Sequence, residues 1–258
     1  MRYDSIMPTP EASPSRPGSA ADATERARER LIVALDVPDA AAAAALVQRL
    51  EGTCRWFKVG LELFVAEGPR VLKPLLDQGY SVFLDLKLYD IPNTVAGAVR
   101  SAAKLGARML TLHAGGGAAM LAAARAALDG ITDPPQLLAV TVLTSMDQAQ
   151  AAAVGWGRSP AEQVDLLARM GLNAGLDGFV CSPEEVARLR SITGPAGVLV
   201  TPGIRPAGTA AGDQKRIATP ADALRQGASY LVVGRPIAQA PQPAHAAEAI
   251  LQEMATVL

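Results

Sequence analysis

Ser81-Val82-Phe83-Leu84-Asp85-Leu86-Lys87-Leu88-Tyr89-Asp90-Ile91-Pro92-Asn93-Thr94 is an apolar run that carries three charges within six residues, Asp85, Lys87 and Asp90. From Tyr80 to Leu88 it reads as a buried strand, with aromatic and branched residues bounded by Gly79 and later by Pro92. Side chains two apart on a strand share a face, so Asp85 and Lys87 are expected side by side. Asp90 falls where the strand should end, and Pro92 stops strand pairing and starts a helix. Such a pair reads in two ways. It is a structural ion pair, the usual state of buried charge, or it is an acid and a base at the catalytic end of a barrel strand.

On either side of this strand the chain alternates. Apolar strands are predicted at Leu31–Asp36, Trp56–Gly60, Tyr80–Leu88, Ala107–His113, Leu137–Leu143, Gly178–Cys181, Val198–Thr201 and Ser229–Val233. Between and after them helices are predicted at Ala40–Leu50, Val71–Gln78, Asn93–Leu105, Ala118–Leu128, Asp147–Val154 with Pro160–Leu172, Pro183–Ile192, Pro220–Gln226 and His245–Met254. Eight such units over about 225 residues predict an α/β chain forming one (β/α)8 barrel over residues 28–258. A doubly wound sheet is the alternative. Residues 1–27 differ: Pro8, Pro10, Pro14 and Pro17 stand among Ser, Ala and Thr, a composition expected to form a disordered tail. The tail lacks the apolar core of a secretory signal.

Charge and composition exclude several function classes. With 24 basic and 25 acidic residues, no strong field points to nucleic acid or an anionic membrane, and 4% aromatics argues against base stacking. No apolar run reaches about 18 residues. Two cysteines and two scattered histidines, His113 and His245, form no disulfide framework and no metal-binding pattern. The expectation is a soluble cytoplasmic protein with no metal, no nucleic acid and no membrane partner.

On a barrel, Asp36, Lys58, Asp85, Lys87, Thr144, Thr201 and Arg235 all fall at or just past the C-terminal ends of strands, the rim where catalysis sits in this fold. The loops Thr201-Pro202-Gly203-Ile204-Arg205-Pro206 and Gly234-Arg235-Pro236-Ile237 follow strands seven and eight, where barrels often hold phosphate through backbone N–H groups. Arg235 adds a forked cation that fits a phosphate dianion. His113 reads as a pocket residue or a hydrogen-bonded rim histidine, His245 as solvated, and Trp56 and Trp156 as packing residues. The polar run Asp213-Gln214-Lys215-Arg216 is either a solvated loop or a closure over ligand.

The stretch Phe83–Thr94 resembles the signature of the orotidine 5'-phosphate decarboxylases. Supporting matches are Ala34-Leu35-Asp36, Lys58-Val59-Gly60, Val142-Leu143-Thr144-Ser145, the two phosphate-type loops and Gly212-Asp213-Gln214-Lys215-Arg216. Tyr89 departs from the His more common there in bacterial members. The resemblance implies cofactor-free removal of CO2 from orotidine 5'-monophosphate to give UMP, the last step of de novo pyrimidine nucleotide synthesis. It implies that Lys87 protonates C6, that Asp85 sits beside the substrate carboxylate, and that Lys58 and Asp90 complete a charge network. It implies a homodimer with shared sites, into which Asp90 and Thr94 reach from the partner. Asp36, Thr94, Ile91 and Thr144 would bind the nucleoside, and Gln214, Gly234, Arg235 and Arg205 the phosphate end. Two alternatives stand beside it: a Mg-dependent phosphosugar decarboxylase of the same superfamily, which carries Glu where this chain has Lys58, and a non-catalytic nucleotide-binding barrel.

Overall fold

The computed structural model describes residues 20–206 and 217–258. Its elements run α1 (Ala20–Arg28), β1 (Leu31–Ala34), α2 (Ala40–Arg49), β2 (Trp56–Gly60), α3 (Leu61–Glu67), α4 (Lys73–Asp77), β3 (Ser81–Leu88), α5 (Pro92–Lys104), β4 (Met109–His113) and α6 (Gly117–Ala126). There follow β5 (Gln136–Val140), α7 (Gln148–Ala153), α8 (Pro160–Asn173), β6 (Gly178–Val180), α9 (Val186–Thr193), β7 (Val198–Thr201), α10 (Pro220–Arg225), β8 (Tyr230–Val233), α11 (Arg235–Ala238) and α12 (Pro243–Ala255). The eight strands pair in parallel in chain order, and β8 closes on β1. This is the (β/α)8 barrel expected from the sequence, and it excludes the doubly wound sheet.

Strand period two divides the core into two layers. Ile32, Ala34, Trp56, Phe83, Met109, Leu138, Val200 and Val232 pack together inside the barrel. Leu31, Val33, Phe57, Val59, Val82, Leu84, Leu110 and Leu112 pack outward against the helices. Phe57 is fully buried and Phe83 2% exposed; truncating either to Ala would cost about 3–5 kcal/mol. On the inner face, Lys58 lies two residues beyond Trp56, Asp85 two beyond Phe83, and Thr111 two beyond Met109. The apolar interior therefore ends in a polar layer at the C-terminal rim.

Helix starts follow local chemistry. The Asp39 carboxylate accepts from the Ala42 N–H, and Ser159 with Glu162 forms a capping box ahead of α8. Pro92 takes the first turn of α5, which suits a residue without an N–H.

Most boundaries lie within a residue or two of those predicted from sequence, and three expectations are corrected. The helix expected over Val71–Gln78 is shorter, Lys73–Asp77 (α4), and follows a 3-10 turn over Gly68–Leu72 that separates it from α3 at Gly68 (φ +66). Gly68 and Pro69 interrupt the α-helical ladder there. The helix expected from Pro183 begins as a 3-10 turn, Pro183–Glu185, before α9. The tail expected to be structureless through residue 27 contains α1. Ala27 is fully buried, Arg26 Nη2 donates to the Leu258 carbonyl at 2.7 Å, and Arg55 pairs with Glu25 and with Glu29 (2.9 Å). The Ala, Glu and Arg residues of α1 favour a helix, and tertiary contacts hold a segment too short to be stable alone. The loop Asp213-Gln214-Lys215-Arg216 lies outside the described residues, as do residues 1–19. No helix among the described residues is long and apolar enough to cross a membrane.

Candidate active site

Four charges stand in an alternating row at the C-terminal rim. Lys58 Nζ donates to Asp36 Oδ1 at 2.7 Å and lies 3.7 Å from Asp85 Oδ2. Lys87 Nζ donates to Asp85 Oδ1 at 2.8 Å. Lys58 and Asp85 are 8% and 9% exposed, whereas the Asp36 side chain is 59% exposed. Each buried charge thus has an opposite charge on at least one side, which offsets its desolvation. The row borders a cavity of about 340 Å³ that Thr144 and Pro202 also line, with Phe83 and Val232 from the barrel interior beneath it.

Backbone geometry builds this row. Gly60 is level with Asp85 in the β2–β3 register. A Cβ on Gly60 would come within 2.8 Å of Lys58 Nζ and 3.2 Å of Asp36 Oδ1, so glycine leaves the space through which Lys58 reaches Asp36. Lys87 has φ +50, a left-handed conformation that non-glycine residues seldom adopt. The β3–β4 register runs Leu84↔Leu110 and then Leu88↔Leu112, so β3 carries two extra residues there. Regular alternation therefore correctly paired Asp85 with Lys87, but a bulge delivers the contact.

Other residues named from the sequence fall in two groups. Asp36, Lys58, Asp85, Lys87 and Thr144 come together around the cavity. Asp90, Ile91 and Thr94 are exposed at the start of α5 and do not line it; Asp90 Oδ1 accepts from the Ile91 N–H at 2.6 Å. Arg205 is buried, with Nη1 donating to the Ile204 carbonyl at 2.8 Å. Burial, and then the nearby Arg235 charge, pull its guanidinium below the ordinary arginine range. Two cations near each other at the ends of β7 and β8 make a site that an anion would stabilise. Gly234 precedes α11, and a side chain there would lie 3.7 Å from the Asp36 carboxylate. Gln214 lies outside the described residues. Thr201, expected at the rim, is fully buried, with its hydroxyl 3.8 Å from Cys181 Sγ.

A family model described as orotidine 5'-phosphate decarboxylase / HUMPS family matches residues 29–250. The chain belongs to this family. It is 52% identical over 237 residues to the orotidine 5'-phosphate decarboxylase of Moorella thermoacetica, covering 90% of this chain and 94% of that one. It is 54% identical over 222 residues to that of Anaeromyxobacter sp. (strain K), covering 86% and 96%. The crystal structure of orotidine 5'-phosphate decarboxylase from Lactobacillus acidophilus superposes with a TM-score of 0.77 at 41% identity, covering 87% of this chain and 98% of that one.

Three features of this family member were not singled out from its sequence as parts of the site. Thr111 touches both Asp85 and the Lys87 backbone. Gly60 clears the way for Lys58. Tyr89 stacks on His113 with ring centroids 5.6 Å apart, and its hydroxyl donates to the Gly115 carbonyl at 3.0 Å. His113 Nδ1 is buried without a hydrogen-bond partner among the described residues. Burial, and then the Lys87 charge, hold the His113 ring below its ordinary 6.5. The signal for Thr111 was present: it is a polar residue between Met109 and His113 in the inward set of β4.

Proposed function

We infer that this protein decarboxylates orotidine 5'-monophosphate to UMP in pyrimidine nucleotide synthesis. The observation that carries this is the Asp36–Lys58–Asp85–Lys87 row beside a nucleotide-sized cavity, in a chain of this family. In the reaction the C6–carboxylate bond breaks, CO2 leaves, and the electron pair remains on C6. The Lys87 ammonium stabilises that charge and donates its proton to C6. Asp85, held between Lys58 and Lys87, lies beside the substrate carboxylate. Thr144 and Asp36 contact base and ribose. Arg235, Arg205, Gln214 and the Gly234 backbone receive the phosphate, whose remote binding energy helps assemble the site.

The assembly is a cytoplasmic homodimer with shared sites. Asp90, Ile91 and Thr94 of each subunit serve the neighbour's cavity, which accounts for their exposure here. Exposed Leu61 (51%), Val65 (80%), Tyr89 (64%) and Ile91 (68%) supply apolar surface near the ends of β2 and β3 for such an interface. No metal or organic cofactor takes part. The Mg-dependent alternative needs a divalent ion among these carboxylates, and Lys58 already places an ammonium between Asp36 and Asp85.

The test is a spectrophotometric assay of orotidine 5'-monophosphate loss after exhaustive dialysis against EDTA. Full activity is expected. Activity lost in EDTA and restored by Mg2+ would overturn this assignment, and tight UMP binding with no turnover would favour the non-catalytic barrel.

A further inference from the structure

Thr111 is fully buried in β4, opposite the point where β3 carries its two extra residues. Its hydroxyl oxygen accepts the Lys87 N–H at 2.8 Å, and its hydroxyl hydrogen goes to Asp85 Oδ1 at 2.9 Å. One oxygen therefore holds the backbone of one charged residue and the carboxylate of another.

The bulge makes this bridge necessary. Two unmatched residues on β3 interrupt the ladder, and an amide buried there needs a substitute acceptor. Lys87 moreover sits at φ +50, a conformation that persists only when its surroundings hold it. Asp85 Oδ1 receives both the Lys87 ammonium and the Thr111 hydroxyl, so the hydroxyl also fixes the rotamer against which Lys87 rests.

We propose that Thr111 is a positioning residue for proton delivery by Lys87. Its hydroxyl locks the left-handed Lys87 backbone to the Asp85 carboxylate and thereby sets where the ammonium stands relative to C6. The inference rests on the decarboxylation reading and adds to it a residue that touches neither substrate nor product. It contributes to the proton-transfer step and little to binding, because UMP is held by groups that Thr111 does not contact.

The test compares Thr111→Val, which keeps the shape without the hydroxyl, with Thr111→Ser, which keeps the hydroxyl. Rates are expressed per UMP-binding site, counted by calorimetric titration, so that a loss of folded protein does not register as a loss of rate. For Thr111→Val, kcat per site is expected to fall about 10- to 100-fold, the effect of leaving a buried donor and a carboxylate without their partner. KM and the UMP dissociation constant should stay within about twofold, as for loss of an interaction that matters only in the transition state. Thr111→Ser should hold kcat within about threefold of wild type, since both hydrogen bonds remain available. A valine variant with wild-type kcat per site, or a serine variant as slow as the valine one, overturns the proposal. If the valine variant does not fold, Thr111→Cys, a weak donor of similar size, replaces it under the same expectations. Wild-type protein without turnover would bring down the decarboxylation reading and this inference together. Wild-type turnover matched by the valine variant would bring down this inference alone.

Discussion

The two ends of the barrel use cations in opposite ways. At the N-terminal end, Arg190 is surrounded by acceptors from its own chain. It donates to the carbonyls of Gly194 (2.8 Å), Gly197 (2.6 Å) and Gly227 (2.6 Å) and to the Ser229 hydroxyl (3.0 Å), tying together the turns that enter β7 and β8. Arg55 is similarly held by Glu25 and Glu29 beneath β1 and β2. At the C-terminal end, Lys58 and Lys87 share one carboxylate beside an open cavity, and Lys87 holds a left-handed backbone to do so. The lower cations are fixed by carbonyls (Arg190) or by carboxylates of α1 and its end (Arg55), contacts that stabilise the fold. The upper ones flank a single carboxylate at the edge of a cavity, an arrangement that suits a substrate with a negative charge of its own.

The sharpest break of this contrast removes an upper charge. Lys87→Ala and Asp90→Ala should each lower turnover about 1,000-fold or more, the combined scale of proton transfer and electrostatic stabilisation. Melting temperatures should stay within a few degrees of wild type. Mixing the two variants with subunit exchange should restore up to about half of wild-type activity per heterodimer, because one site then carries both lesions and the other none. A mixture whose exchange is confirmed by mass spectrometry but which remains inactive would show that sites are not shared.

Two arginines extend the comparison. Arg235→Ala, at the upper end, should weaken UMP binding by about 2–4 kcal/mol without lowering stability, measured by calorimetry. An equal loss on orotidine lacking the phosphate would remove Arg235 from the phosphate site. Arg190→Met, at the lower end, should cost about 2–4 kcal/mol of stability in urea unfolding because it leaves several carbonyls without a donor. Its kcat per UMP-binding site should be unchanged; a fall would mean that the two ends are mechanically coupled.

The N-terminal helix sharpens the lower end further. A tail without structure through residue 27 would be dispensable, but removing residues 1–24 would take away half of α1. A cut before Ala20 leaves the described contacts of α1 in place and is expected not to move the melting temperature. Removing residues 1–28 discards the buried Ala27, the Arg26 bond to Leu258 and Glu25, one of the two partners of Arg55, and should lower it by about 3–8 °C.

The smallest effect concerns His113. Its ring is held below 6.5 by burial and by Lys87, so the unfolded chain takes up a proton more readily than the folded one. Its contribution to stability is whole above pH 6.5 and declines as pH falls from there toward the folded value. Between pH 7.5 and 5.5, wild type should therefore lose about 1–3 °C more than His113→Gln in thermal melts. Parallel curves would show that the ring takes up its proton equally in the folded and unfolded states.

Much of the active site was legible because barrel strands obey simple alternation. Apolar runs of period two, ending in Asp36, Lys58 and Asp85, mark both the fold and the rim on which those residues sit. Arg205 and Arg235 could be named as candidates for the phosphate end because each follows a glycine-bearing strand end. The break after α3 was signalled by Gly68 and Pro69, which the sequence reading passed over. Helix α1 carries a local signal in its Ala, Glu and Arg residues and its charged ends, but one short helix is marginal alone, and α12, Arg55 and Leu258 complete its order.

By itself, then, the sequence determined which charges gather and at which end of the barrel. Side-chain direction and strand order follow from local alternation and from the rules of chain connection. Only the tertiary structure decided how those charges are held: two extra residues in β3, Lys87 turned to φ +50, space left by Gly60, and a Thr111 hydroxyl from the next strand. Each of these depends on the register between neighbouring strands. Register is set by packing around the closed barrel, where a partner such as Thr111 lies 24 residues away from Lys87 along the chain and one strand away in space.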